Sequence, residues 1–434
     1  MFSRRLSTRL ATIALASATA FTLAGCGEDS TSGESSSNNS QSGAGKTLTV
    51  WIMEGTNPDA TPFFDKVKSD FKAQTGAEVD IQFVPWANAH DKFVNAVGGG
   101  ETPDVAEVGT TWTPEFADAG ILADLSDRVK DKDPLVDSLV TAGELDGKLY
   151  GMPWYAGVRS IVYRADVFNE LNIEPPTSWD ELVAAGQKIK AGKPDMIPFP
   201  VAGDSTFGLL PFIWGAGGEV AEQDGDAWKS TLDSAQAREG IQFYTDLALK
   251  HGLSTPAATT WKETNLRDEF VKGTVAMMIS GSWTPKSILQ KAPQLEGKIG
   301  AFGIPGPDGG LSRSFVGGSH LAVFDNSDEK DLSWKFVELM TSEANAADWA
   351  SQSSFFPGIE SLLEKATAAD DPLVSPFAAQ MKDAGESVPV TPAWGKVEAK
   401  KTIGAMLQAI LSGSKTVEQA TADAAAEMTD TLKG

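Results

Sequence analysis

Twelve tryptophans against four tyrosines is an unusual aromatic balance. Trp86, Trp112, Trp154, Trp214, Trp283 and Trp394 stand beside Gly, Pro or Thr, at expected strand ends or loops. An indole there can form the flat wall of a cleft. Such a wall suits a ligand with an apolar C–H face, while nearby carboxylates, amides and hydroxyls suit a polar rim; a pyranose ring has both. Trp179, Trp228, Trp334 and Trp349 fall within or beside helical patterns and Trp51 inside a strand, so these read as packing residues. Trp261 has no assignment from its neighbours. For any single indole of the first group, core packing is as good a reading as ligand contact; the binding reading concerns the set.

Other chemistries find less support. His90, His251 and His320 are far apart and in no metal-binding spacing, and Cys26 is the only cysteine, so no metal site or disulfide is expected. A glycosidase needs two carboxylates about 5–10 Å apart, and none of the 59 acids stands in a recognisable motif. No G-x-S-x-G occurs to place a nucleophile elbow. Gly45-Lys46-Thr47 echoes a phosphate-binding loop, but Ser40 replaces its first glycine and the motif precedes its strand. Gly215-Ala216-Gly217-Gly218 lacks the third glycine of a dinucleotide fingerprint. A binding protein without catalysis or cofactor is the expectation.

The elements that must position these residues follow from periodicity. Leu48–Ile52 reads as a buried strand, and Pro62 opens a helix whose Phe63, Phe64, Val67 and Phe71 share one face before Gly76. Val79, Ile81 and Phe83 alternate in a second strand ending at Pro85-Trp86. A helical pattern with Phe93, Val94 and Val97 closes on Gly98-Gly99-Gly100, and residues 103–108 form a third strand before Gly109-Thr110-Thr111-Trp112. This alternation predicts an α/β fold with a mostly parallel sheet, ligands gathering at the carboxyl ends of its strands near Trp86 and Trp112. Further strands are expected at Ser160–Tyr163, Thr274–Ile279 and His320–Phe324. Ser178 and Glu181 have capping-box spacing, and from Leu332 the chain is mainly helical, to a last helix near Val417–Leu432. The length beyond Thr47 suggests two lobes.

The N-terminus carries a second message. Arg4, Arg5 and Arg9 precede an apolar run, Ala11–Leu23, which reads as an export signal. As a helix it would span about 20 Å, short of the roughly 30 Å hydrocarbon core. Leu23-Ala24-Gly25-Cys26 resembles the bacterial lipobox, implying cleavage before Cys26 and lipidation there. Glu28–Lys46 has no aliphatic residue larger than alanine and is expected to be a flexible tether. Residues 1–25 hold three of the 36 basic residues and no acid, so the remainder sets 33 against 59, net −26 beside −23 overall. That excess argues against nucleic acid and against electrostatic adhesion to anionic lipid.

Three stretches carry a resemblance to extracellular solute-binding proteins of the maltose-binding type (family 1), which feed sugar ABC importers. The first is Asp268-Glu269-Phe270, Lys272-Gly273-Thr274-Val275-Ala276-Met277 and Gly281-Ser282-Trp283. The second is Tyr150-Gly151-Met152-Pro153, Tyr163–Phe168 and Pro176–Leu182; the third is Trp334-Lys335-Phe336-Val337 with Met340-Thr341-Ser342. The resemblance implies a periplasmic-binding-protein-like fold of two α/β lobes with a hinge and a ligand cleft between them. Carried over, residues 1–25 are a signal peptide, 26–46 the lipidated Cys26 and tether, 47–155 plus 315–358 one lobe, and 156–314 plus 359–434 the other. It implies a monomeric, lipid-anchored protein on the outer face of a bacterial membrane, delivering a di- or oligosaccharide to ABC permease transmembrane subunits. A polyamine between Glu54 and Glu107, a glycerophosphodiester on Arg159, a peptide, or a structural lipoprotein are the alternatives.

The resemblance also ranks site residues. Trp283 falls on a position whose ring commonly stacks on sugar. Thr111 and Trp112 match a loop that supplies charged groups in the maltose type, so the same ligand set cannot be carried over. Trp154 and Tyr155 lie in the expected crossing loop, Phe207 in a second-lobe loop, and Trp394 near the last binding segment. Gly318 would allow close ligand approach in the return crossing, with Ser319 or His320 bonding a hydroxyl. Glu54, just past the first strand, is a candidate acceptor, and Arg159 would bind ligand or pair with an acid near the hinge.

Overall fold

The computed structural model describes residues 43–225, 227–368 and 370–433. The expected signal peptide, Cys26 and the tether as far as Ser42 lie outside them. The folded body begins earlier than its sequence suggests. Gly43 is buried, its N–H donates to the Thr75 carbonyl at 3.0 Å, and Lys46 pairs with Glu329 at 2.7 Å. Residues 43–46 thus belong to the body and not to the tether.

The strand Thr47–Glu54 runs parallel to Glu78–Pro85 on one side and Val105–Gly109 on the other. Between the first two, helix Thr61–Thr75 buries Phe63, Phe64, Val67 and Phe71 and stops at Gly76, whose φ of 78° glycine adopts without strain. Each such ring or Val side chain removed from water contributes about 1.5–3 kcal/mol. Helix Trp86–Gly99 starts directly after the second strand, so Trp86 stands at a helix start. Its buried face is narrower than the pattern Phe93, Val94 and Val97 predicts: Ala89 and Phe93 are buried, while Val94 and Val97 are exposed. Phe83 is 45 % exposed and Val84 buried instead. The Glu78–Pro85 strand pairs on one side only and its alternation breaks near its end.

The rest of the sheet departs from the parallel expectation. Met152–Arg164 and Ser314–Val323 run antiparallel to each other, from Val316 opposite Val158 to Leu321 opposite Met152. Ser314–Val323 also pairs antiparallel with Val105–Gly109. The far half of Met152–Arg164 pairs antiparallel with Met277–Gly281 and Ile299–Phe302. The chain leaves along one long strand and returns along the other, so this central pair must be antiparallel, and the whole sheet is mixed.

Helices cover both sides. One group of apolar residues joins the first strands to helices Thr61–Thr75 and Lys330–Thr341, and another packs Trp51, Phe93, Phe116 and Phe324 on the opposite face. A third draws on residues 161–315 with the C-terminal helices. A fourth straddles the expected lobe boundary, packing Val136 and Leu139 with Val158, Phe356 and Phe377. Ser178 caps helix Trp179–Gly192 by accepting from the Glu181 N–H, whereas the Glu181 carboxylate turns to Thr177.

Gly318 serves this sheet more directly than it serves a ligand. A Cβ there would stand 2.1 Å from the Tyr155 carbonyl oxygen and 2.9 Å from Leu139. Neither strand can move aside without breaking its pairing. Gly318→Ala is expected to cost about 1–3 kcal/mol, the usual price of overpacking, read as a lowered midpoint in denaturant unfolding; an unchanged midpoint would show that the strands yield.

Candidate functional site

The parallel strands end, and the two long strands cross, around one cavity of about 380 Å3, within the roughly 300–1,000 Å3 of small-molecule sites. Its walls are aromatic. Trp283, in the turn after strand Met277–Gly281, lies over Gly157 and Gly281; a Cβ at either would come within 2.5 Å of the indole. Its ring stacks on Phe355 at 4.6 Å and its Nε1–H donates to Thr56 Oγ1 at 2.6 Å. Phe355 stacks on Tyr155 at 4.0 Å, and Tyr155 meets Trp154 at 4.9 Å, so an aromatic column runs from the cavity into the core. A second wall pairs Phe207 with Phe315 at 4.3 Å, nearly parallel. Trp86, Trp112 and His90 form a third.

Polar groups interleave these rings. Glu398, partly buried on helix Pro392–Lys400, accepts from Thr111 Oγ1 at 3.0 Å, Trp112 Nε1 at 2.6 Å and Trp394 Nε1 at 3.0 Å. Burial raises its carboxyl above the ordinary range, against those three donors and the charge of His90. Two of these bonds join lining residues of separate segments across the cavity, as does Trp283 to Thr56; outside the lining, Arg267 Nη1 donates to the Gly55 carbonyl at 2.6 Å. Arg159 is paired with Glu263 at 2.5 Å, and its guanidinium lies over Phe207 at 4.6 Å. Of its two sequence readings, the acid pair is the one observed.

Beneath the floor, Glu107 is wholly buried and accepts from the Met53 N–H, Tyr155 and Ser319. Burial pushes its carboxyl up to about 7 in spite of those donors. Glu107 therefore anchors Tyr155 and Ser319 from behind and does not line the cavity.

Trp86, Thr111, Trp112, Tyr155, Arg159, Phe207, Trp283, Gly318, Ser319 and Trp394 all line the cavity, though Trp394 is buried behind Glu398 and Phe207 belongs to helix Thr206–Gly215. Three expected residues are elsewhere. Glu54 ends the first strand and is exposed outside the cavity, because alternation turns it away from its buried neighbour Met53. Trp154 lies inside the long strand, not in a loop, and stacks on Trp349 at 5.0 Å in the core. His320 is also core: Nε2–H donates to the Leu139 carbonyl at 2.8 Å, so neutral Nδ1 accepts from the Thr113 hydroxyl at 2.8 Å. Burial pushes it down to about 4, and Gly143 and Gly151 leave room for its ring. Trp214 is likewise buried within its helix. Sequence reasoning missed Glu398, His90, Phe315, Phe355 and Thr402; only Phe315 had a local signal, the Gly317-Gly318 beside it.

His90 is a sensitive point in this wall. Its Nε2 bonds Glu115 Oε2 at 2.8 Å. Burial opposes its charge, but the Glu115 bond and the charges of Glu115, Glu398 and Asp91 outweigh burial and raise the imidazole above its usual range. A raised folded value stabilises below the unfolded pKa of about 6.5 and is lost as pH climbs through the folded value. The melting-temperature gap between the native chain and His90→Gln should thus be full near pH 6 and shrink at higher pH. A gap independent of pH between 5 and 9 would show that the pair is not ionic.

The chain is 30% identical, over 87% of its length and 88% of the relative's, to the diacetylchitobiose binding protein DasA of Streptomyces coelicolor. It is 25% identical to the arabinooligosaccharide-binding protein of Bacillus subtilis, over 76% of this chain and 75% of that one. Its fold superposes with a TM-score of 0.80 and 26% identity on an ABC transporter solute binding protein from Thermotoga lettingae TMO bound with alpha-D-tagatose, covering 89% of this chain and 100% of that one. These matches agree with the periplasmic-binding-protein-like α/β fold. The family described as bacterial extracellular solute-binding protein matches residues 55–347, and the chain belongs to that family.

Proposed function

We propose that this chain is the substrate-binding component of an ABC importer and captures a di- or oligosaccharide in the cavity. One observation carries the reading: three aromatic walls from separate elements face a single cavity, with hydroxyls and a carboxylate between them. That is the pattern a ring with an apolar face and a polar rim requires. The relatives that bind diacetylchitobiose and arabinooligosaccharide support the same class. The groups bonded across the cavity belong to the two proposed lobes, 47–155 plus 315–358 and 156–314 plus 359–434. Closure is a hinge motion that ligand favours by touching both sides.

The chain binds and does not hydrolyse. Of the carboxylates lining the cavity, Glu398 is held by three donors, Glu263 by Arg159 and Asp204 faces Lys262 at 3.8 Å, which leaves Asp91 alone and no pair. A glycosidase needs a pair of carboxyls free to act as acid and as base or nucleophile. A polyamine ranks lower, since Glu54 and Glu107 do not line the cavity.

Export, cleavage before Cys26 and lipidation complete the proposal, with the body a monomer held at the outer membrane face to meet its permease. Among the described residues no helix is long and apolar enough to cross a membrane.

Titration of intrinsic tryptophan fluorescence against di- and oligosaccharides should give a saturable change with a Kd near micromolar, about −8 kcal/mol. Trp283→Ala should weaken that binding by about 1–3 kcal/mol. A flat response confirmed by calorimetry would turn the reading to non-sugar solutes. For the anchor, Cys26→Ser expressed in a bacterial host should move the protein from the membrane fraction to the medium; retention in the membrane would refute lipidation at Cys26.

A further inference from the structure

One part of the cavity wall is built of donors and not of rings. Helix Thr402–Leu411 opens there, with Lys401, Thr402, Ile403 and Gly404 all lining the cavity. The first N–H groups of a helix have no carbonyl within it to bond. Lys401, at the N-cap, has φ of 56° and supplies no side-chain cap. Among the described residues, the N–H groups of Thr402, Ile403 and Gly404 have no other partner.

A second observation is independent of the helix. Thr402 lines the cavity yet is only 3 % exposed, and its buried hydroxyl has no hydrogen-bond partner among the described residues. A buried hydroxyl left unpaired is destabilising, so such a group points to something that bonds it. Asp204 lies beside Gly404, its Oδ1 3.4 Å from where a Cβ would stand, yet it bonds none of these N–H groups. Lys262, 3.8 Å from the Asp204 carboxylate, offsets its charge.

We propose that the start of helix Thr402–Leu411, with the Thr402 hydroxyl, accommodates a carbonyl-type oxygen of the ligand, so that the preferred sugar carries an amide or carboxylate substituent. This rests on the carbohydrate reading above. The chemistry follows from the donor set. An oxygen with lone pairs and no proton of its own uses several donors without adding a hydrogen that must itself be satisfied. The partial positive charge of a helix start favours such an oxygen further. A plain sugar hydroxyl brings a proton to a place already supplied with donors. Amide carbonyl and carboxylate share this chemistry, and the experiment separates them.

The test is calorimetry of the full chain with matched disaccharides that differ at one carbon: hydroxyl, acetamido or carboxylate. At least one substituted sugar should bind about tenfold or more tighter than the hydroxyl parent, a difference of about 1.4 kcal/mol. An acetamido preference assigns the neutral carbonyl; a carboxylate preference assigns the anion. Thr402→Val, of nearly the same shape, should collapse that ratio to within threefold, and Thr402→Ser should restore it; thermal melts verify that both variants fold. Equal binding of parent and substituted sugars, or a ratio that Thr402→Val leaves intact, overturns this inference and spares the carbohydrate reading. Binding of no sugar at all overturns both.

Discussion

The structure depends on two antiparallel strands, Met152–Arg164 and Ser314–Val323, that must pass through the middle of the molecule side by side. Their near halves complete the sheet begun by the first parallel strands, while the far half of Met152–Arg164 carries the next sheet segment. Two polar backbones can be buried there only because they satisfy each other. Close pairing leaves no space for side chains at some positions. Gly318 faces the Tyr155 carbonyl, and Gly157 faces the Trp283 ring. Glycine there trades conformational entropy for backbone contact and for a flat bed on which an indole can lie.

From that bed the cavity follows. Trp283, Phe355 and Tyr155 stack outward from the core, so the wall is rigid through its own packing. Aromatic stacks of this kind add about 0.5–1.5 kcal/mol each beyond the area they bury. A wall held from behind keeps its orientation whether or not a ligand touches it, which lowers the ordering cost of binding.

Two carboxylates, Glu107 wholly buried and Glu398 partly so, divide the remaining work. Glu107 gathers donors from three strands beneath the floor, joining Met53, Tyr155 and Ser319. Glu398 gathers Thr111 and Trp112 across the cavity and Trp394 from its own helix. A charge in such surroundings is costly unless fully bonded. Each therefore fixes its partners: one holds the sheet's centre together, and the other ties the loop after Val105–Gly109 to a helix near the C-terminus.

Much of this was legible in the chain. The first helix, with its Phe63, Phe64, Val67 and Phe71 face and Gly76 stop, is set by contacts within a few residues, as is the Ser178 cap. Gly281-Ser282-Trp283 marked a ring placed against backbone, and the order of the motifs marked the family. The direction of a strand's side chains was not legible, because a shift of one residue turns a ring from cavity to core. That is why Trp154 and His320 read as site residues and pack as core, and why Glu54 points away. Glu398 stands 287 residues from Thr111, which it bonds, and neither residue carries a local sign of the other. By itself the sequence determined the elements, their order and the aromatic supply, since periodicity and capping act over one or two turns. Only the tertiary structure decided which rings and donors share one cavity, because that depends on strand register and on packing between segments that local forces never bring together.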